Sequence, residues 1–316
     1  MFNHQARAAA IFAAGSLLAA NLAIAADQKQ PKQEVPASTI ITIQPKGKAQ
    51  ENVTQQDLRL KVNGRETPIT GFSPLSNQKN PVELVLLIDN GARTSLGTQW
   101  GDITKFVESQ PPETKIAIAY MIGGDAVFEA PLTANRAAVL RTLHLPEHGG
   151  AAISASPYFC LDDLTKNWPS SDPNARRVVV MISDGIDYYQ VRYDPEDPYV
   201  LNAINDSVRA HILIYAIYWR STDLLDSTTY GAYDGQNLLA ELTEATGGES
   251  FWIGVGDAVT FAPYFKDINE RLANQYKVNF MTAVGNKPEL QGIRLQVRGR
   301  VKLSAPKQVY ALPGMN

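Results

Sequence analysis

"LVLLIDNGARTSLG", Leu84 to Gly97, begins as an unbroken apolar run and ends in a polar loop. A strand with no polar alternation has both faces covered, which places it inside a mostly parallel sheet with helices on either side. The run delivers one carboxylate, Asp89, to its carboxyl end, and the loop beyond holds Gly91, Arg93, Thr94 and Ser95. That edge of an open α/β sheet is where ligands bind. The stretch therefore points to an architecture and to a candidate site.

Three further runs have the same character: "KIAIAYMIG", "RRVVVMISDG" and "HILIYAIYW". Around them, "NRAAVLRTLHL", "SASPYFCLDDLTKNW", "YVLNAINDSVRA", "NLLAELTEATGG" and "PYFKDINERLANQ" carry apolar residues at helical spacing. Gly247-Gly248 suits a helix C-cap, and Pro263 a helix's first turn. The expectation is a doubly wound α/β domain over 82–275, its sheet mostly parallel with helices on both faces. "DLRLKVNGRETPITGF" alternates around Asn63-Gly64, a strong hairpin signal, and predicts a small β element over 52–74. "YKVNFMTAVG" and "IRLQVRGRVKLSAP" return to alternation, which predicts an antiparallel β extension over 276–316. Residues 26–51 are poor in large apolar side chains and read as a linker with one short strand in "STIITIQ".

Residues 1–25 have the layout of a secretory signal peptide: Arg7, an apolar run, and Ala23-Ile24-Ala25. Export to the periplasm or beyond, with no membrane insertion after cleavage, is the expectation. Loss of Arg7 takes the formal charge of −3 to −4, and no basic stripe appears, so nucleic acid is not an expected partner. The single cysteine, Cys160, cannot form an internal disulfide, so stability must come from core burial.

Asp89 ends the first strand, and Asp184 ends "VVVMISD" with Asp187 just beyond. Two carboxylates converging at one sheet edge make either a hard-cation site or a like-charge conflict. Together, "LVLLIDNGARTS", "HGGAAISAS" and "RRVVVMISDGIDYY" resemble the three pieces of a von Willebrand factor A-type domain and its metal-ion-dependent adhesion site, and the flanking segments are similar to those of secreted bacterial VWFA-related proteins. The resemblance implies a Rossmann-like fold and an adhesion or interaction role. It also implies an Asp-x-Ser-x-Ser opening, a threonine after the Gly-Gly pair and a later aspartate, together holding Mg²⁺ or a similar ion. Asp89 and Asp184 match that pattern. Gly91 and Arg93 stand in place of the serines and Ala151 in place of the threonine, so the set Asp89, Gly91, Arg93, Ala151 and Asp184 reads as a vestigial metal site.

Three outcomes follow for this loop. Arg93 could replace the cation by pairing with the aspartates; it could point to solvent while backbone N–H groups hold the acids; or Thr94 or Ser95 could sustain a displaced metal site. The first is the working expectation, with no cofactor and Mg²⁺ as the alternative. The loops leaving the same edge carry Tyr188, Tyr189, Trp219 and Arg220, residue types that anchor interfaces. Asp89, Arg93, Asp184, Asp187, Tyr188, Tyr189, Trp219 and Arg220 are thus the expected contacts for an unidentified protein or peptide partner. A metal-dependent adhesion module is the rival reading.

An enzyme is not expected, and a hydrolase ranks last. "HLPEH", His144 to His148, matches an inverted zinc-peptidase pattern, but Pro146 and the following glycines favour a loop over the helix that chemistry needs. Cys160 lacks a visible base, and "GVGDAV", Gly254 to Val259, lacks the third glycine of a dinucleotide loop.

Overall fold

The computed structural model describes residues 32–47, 52–147, 156–190, 192–194, 196–222 and 228–314. The expected signal peptide, Ala151 and His148 lie outside them. Among the described residues, no helix is long and apolar enough to cross a membrane.

The stretch that opened the analysis forms β5 (Val82–Asp89), buried along its whole length. Its neighbours are β6 (Lys115–Ile122) and β8 (Arg176–Ser183), both parallel to it. β9 (Ile212–Tyr218) and the short β10 (Glu249–Phe251) extend the sheet on one side, and β7 (Asp125–Phe128) closes the other as an antiparallel edge. The order is β10-β9-β8-β5-β6-β7. Alternate side chains of β5 explain its unbroken apolar sequence. Leu84, Leu86 and Ile88 pack in the layer that contains α1 (Trp100–Ser109) and α6 (Ala262–Ala273). Val85 and Leu87 pack in the opposite layer with α3 (Pro157–Lys166), α4 (Pro198–Arg209) and α5 (Thr229–Thr246). Each such fully buried side chain contributes about 1.5–3 kcal/mol of burial free energy. A short α2 (Arg136–Leu140) completes the first layer.

The terminal β segments appear as expected but reach further toward the amino end, and the strand expected in "STIITIQ" is part of a longer one. Gln33–Pro45 is not a linker: it forms a long strand, β1, antiparallel to β11 (Gln275–Val284). β1 and β11 lie between β13 (Val301–Ser304) and β4 (Ile69–Pro74). A second sheet has the order β14-β12-β2-β3, with β14 at Gln308–Ala311, β12 at Glu289–Val297, β2 at Leu58–Val62 and β3 at Arg65–Thr67. Ile41, Val278 and Phe280 from the first sheet share a core with Leu58, Leu60, Ile293 and Val309 from the second, so the segments build one β-sandwich. The Asn63-Gly64 turn is as expected: both residues have positive φ, 48° and 78°, the geometry of a two-residue type I′ hairpin. The sandwich is tied to the α/β layers by Gln44 Nε2 donating to Asp267 Oδ1 (3.1 Å) and by the Lys307 N–H donating to the Ala245 carbonyl (3.0 Å).

Candidate functional site

Parallel register sets the site. Ile88 pairs with Ile182, so Asp89 comes level with Ser183, and Asp184 is the first residue past the strand. Asp89 Oδ2 accepts the Ser183 hydroxyl (2.8 Å), and its Oδ1 accepts the Gly91 N–H (2.8 Å). The Asp184 carboxylate is fully buried. Its Oδ1 accepts the Ile186 N–H (3.0 Å) and its Oδ2 the Tyr188 hydroxyl (2.5 Å). The same phenol lies 2.9 Å from Ser221 Oγ. Among the described residues, each carboxylate thus meets a hydroxyl and a backbone N–H through charge-assisted bonds.

The expected pairing of Arg93 with the aspartates is not what forms. Its Nε donates to the Ser221 carbonyl (2.8 Å), and among the described residues no ion pair joins it to either acid. The reason is local backbone pairing. Ala92 and Ser221 form an antiparallel bridge, the Arg93 N–H donates to the Arg220 carbonyl (3.0 Å), and the Arg93 carbonyl accepts Trp219 Nε1 (3.4 Å). The arginine loop is stitched to the 219–222 segment, which turns the guanidinium toward that segment's carbonyl.

Trp219 is corrected as well. It is 1% exposed and packs edge-on against Phe261 at 5.3 Å between ring centroids, so it is a core residue and no surface anchor. Asp187 is also buried; burial raises its pKa above the ordinary carboxylate value, while its Oδ1 accepts the Tyr189 N–H (2.9 Å). Tyr188 faces inward onto Asp184. Arg220 is half-buried, with its N–H donating to Asp257 Oδ1 (2.9 Å). Tyr189 is exposed, within an aromatic cluster with Phe159 and Tyr199. Thr94 and Ser95 begin a 3₁₀ turn (Thr94–Gln99) and are exposed. His144 lies in a non-helical stretch, stacked on Tyr120. Cys160 is buried in the core, and burial pushes its thiol up to about 12.

A metal ion of the kind the resemblance implies needs hydroxyl ligands from the loop after β5. Glycine and arginine supply none, and the acids are already engaged by Ser183, Tyr188 and backbone donors. A β-carbon at Gly91 would lie 3.2 Å from Asp89 Oδ1, so a side chain there would crowd the carboxylate. The described residues do not fit a divalent cation.

The edge also holds an apolar loop whose sequence pointed only to an incomplete dinucleotide motif. The 252–259 loop that follows β10 exposes Trp252 (41%), Ile253 (57%), Val255 and Val259 (90%). Gln236 Nε2 donates to the Gly254 carbonyl (2.5 Å) and ties this loop to α5, whose first turns expose Tyr230 and Tyr233. The signal was present in "FWIGVGDAV": apolar residues flanked by glycines, without the period of a strand or a helix.

A six-stranded sheet with one antiparallel edge and paired aspartates at its central carboxyl ends meets the fold expectation. The fold resembles the von Willebrand factor A type. No family model and no curated protein sequence matches the chain. Solved structures similar to it include the conserved hypothetical protein BatB from Bacteroides thetaiotaomicron, at 14% identity and TM-score 0.42, covering 61% of this chain and 97% of that one. The pilus adhesin SpaC from Lactobacillus rhamnosus GG, in its open conformation, is 9% identical at TM-score 0.46, covering 80% of this chain and 47% of its own. The proximal thread matrix protein 1 of the mussel byssus, with a zinc-occupied MIDAS motif, is 10% identical at TM-score 0.45, covering 67% and 49%.

The hydrogen-bond pattern predicts which side chain matters to this site. Tyr188→Phe removes a bond to a buried carboxylate and is expected to cost about 1.5–3 kcal/mol in urea unfolding. Arg93→Gln removes one bond from a half-buried guanidinium to the carbonyl of the buried Ser221, a neutral acceptor, and should cost less, about 1 kcal/mol. Burial, then the neighbouring Asp184 charge, raises the Tyr188 phenol pKa far above its ordinary value. The stability this phenol contributes is full below about pH 10, where an unfolded tyrosine ionises, and falls as pH climbs toward the folded value. Tyr188→Phe should therefore flatten the alkaline loss of stability by about 1.4 kcal/mol per pH unit above pH 10.

Proposed function

We propose that this protein is an exported, non-enzymatic interaction module that binds a protein or peptide partner through the carboxyl edge of its VWA-type sheet, without a metal ion. The observation that carries the reading is the exposed apolar loop at that edge, with Trp252, Ile253 and Val259 beside Tyr230 and Tyr233. Large apolar side chains presented together on a rigid scaffold mark interaction sites. The residues around Asp89 and Asp184 support metal independence, because Gly91 and Arg93 bring no hydroxyl ligand while Ser183, Tyr188 and backbone N–H groups already donate to the two acids. The half-buried rim residues Arg93 and Arg220 and the exposed Tyr189 border this face.

The test is a cross-linking pull-down from the native host, run with and without EDTA. Partner capture is expected to survive the chelator. Trp252→Ser combined with Ile253→Ser should cut capture of that partner more than about tenfold, because apolar anchors of this size carry 1–2 kcal/mol or more each. Melting temperature should stay level, since both side chains are exposed. Chelator-sensitive capture would favour a metal-dependent adhesion module, and full capture by the double variant would move the interface off this loop.

A further inference from the structure

At the end of the sheet opposite the acids, the amino ends of β8 and β9 face the sandwich across a cavity of about 290 Å³. Its walls come from Arg176 to Val178, from His211 to Leu213, from β1 and β11, and from the segment that leads into β5. The volume is near the lower limit of the roughly 300–1,000 Å³ typical of small-molecule sites.

The charge of this cavity is one-sided. Arg176, Arg177, His211 and Lys277 line it, and no aspartate or glutamate does. Among the described residues, no carboxylate lies within ion-pairing distance of the two arginines or of Lys277. Arg176 is 3% exposed, yet all its acceptors are neutral: the carbonyls of Asn80 (2.9 Å) and Leu272 (3.0 Å), Gln275 Oε1 (2.6 Å) and Asn77 Oδ1. Arg271, the other deeply buried arginine nearby, shows the usual solution, with Asp267 at 2.6 Å and Glu249 at 2.5 Å. A buried cation without a counter-charge is costly unless an anion arrives to meet it. Burial lowers the Arg176 pKa to about 10, which agrees with an uncompensated charge.

The other groups extend the pattern. Arg177 lies over the Trp168 ring at 5.6 Å and donates to the Ser170 carbonyl (3.3 Å), which holds its guanidinium in place. His211 sits at positive φ (55°) on the turn into β9 and lines the cavity with an exposed imidazole. Thr39, Thr42 and Thr246 add hydroxyls, while Ile40, Leu75, Val208 and Val309 form apolar wall. A bare inorganic anion would leave that apolar wall facing water. A carboxylate on a compact hydrocarbon body satisfies both halves.

We infer that this cavity is a binding site for a small organic carboxylate, with Arg177 and Lys277 meeting its charge, the uncompensated Arg176 beside them adding to the positive field, and the Ile40, Leu75 and Val309 wall covering its body. The site lies away from the proposed partner face and stands independently of it.

Benzoate and hexanoate, their neutral amides, and inorganic phosphate serve as probes in calorimetric titration of the full chain. The acids are expected to bind with a Kd at or below about 1 mM. The amides should bind at least tenfold more weakly, and amide ¹⁵N–¹H shifts on acid binding should centre on His211 and Lys277. Lys277→Gln/Arg177→Gln should weaken benzoate at least tenfold; Lys277→Gln alone, at an exposed position, should weaken it at least threefold with an unchanged melting temperature. Equal affinity for acid and amide, binding of phosphate but neither organic acid, no saturation by any probe below 10 mM, or an unchanged Kd in Lys277→Gln would overturn the assignment.

Discussion

Trp219→Ala is expected to destabilise the protein by about 3–5 kcal/mol, the range for truncating a large buried aromatic. The indole is 1% exposed in the layer between the sheet and α6, in edge contact with Phe261, and its Nε1 donates to the Arg93 carbonyl at 3.4 Å. Truncation removes that contact area and leaves a cavity that the packed strands β5, β8 and β9 cannot collapse into. It also releases the 219–222 segment from the arginine loop. Urea unfolding of the variant checks the prediction. A loss under 1 kcal/mol with impaired partner capture would instead return Trp219 to the surface role that its position in the chain suggests.

Gly235→Ala should cost about 3 kcal/mol or more, against the gain of roughly 1 kcal/mol that alanine brings to an exposed helix. A β-carbon at this position of α5 would lie 2.0 Å from the Asp184 carbonyl oxygen and 3.1 Å from Ile186 Cγ1. The first neighbour is backbone and cannot rotate away, so helix and strand end must separate. The glycine therefore sets how closely α5 approaches the turn that carries Asp184 and Tyr188. Urea unfolding should show the loss, and near-ultraviolet circular dichroism should show the tyrosine environment altered under native conditions. An alanine variant as stable as the parent would mean that α5 does not clamp this turn.

The α/β region is readable because each central strand is covered on both faces, and that demand writes itself as an unbroken apolar run. α1 escaped notice because Gly97 and Gly101 make its start resemble a continuing loop, although Ile103, Phe106 and Val107 have the spacing of a buried helical face. β1 was read only in its "STIITIQ" part: its partner β11 lies more than two hundred residues away, and Pro36, paired opposite Met281, argues locally against extending the strand toward Gln33. Pairing at that distance leaves no local mark beyond a weak alternation.

The site was legible in its acids and illegible in what meets them. Charge arithmetic favours the nearby arginine, but Arg93 is held by the backbone bridge between Ala92 and Ser221, a contact no pattern within the loop encodes. Tyr188, four residues after Asp184, reaches back to it with a neutral donor, and Ser183 becomes Asp89's partner only through the register of β5 against β8. Trp219 continues β9 by one residue and turns inward, whereas the apolar loop at 252–259 falls outside any regular period and reveals its exposure only in three dimensions.

Crystals grown without divalent ions and soaked in 10 mM MnCl₂, with data collected near the manganese absorption edge, test most directly whether hydroxyl and backbone donors close the acidic edge. The expected map has no anomalous peak between Asp89 and Asp184, with the Tyr188 oxygen in hydrogen-bond contact with Asp184 Oδ2. An ordered manganese bridging the two carboxylates, with Tyr188 swung outward, would contradict it.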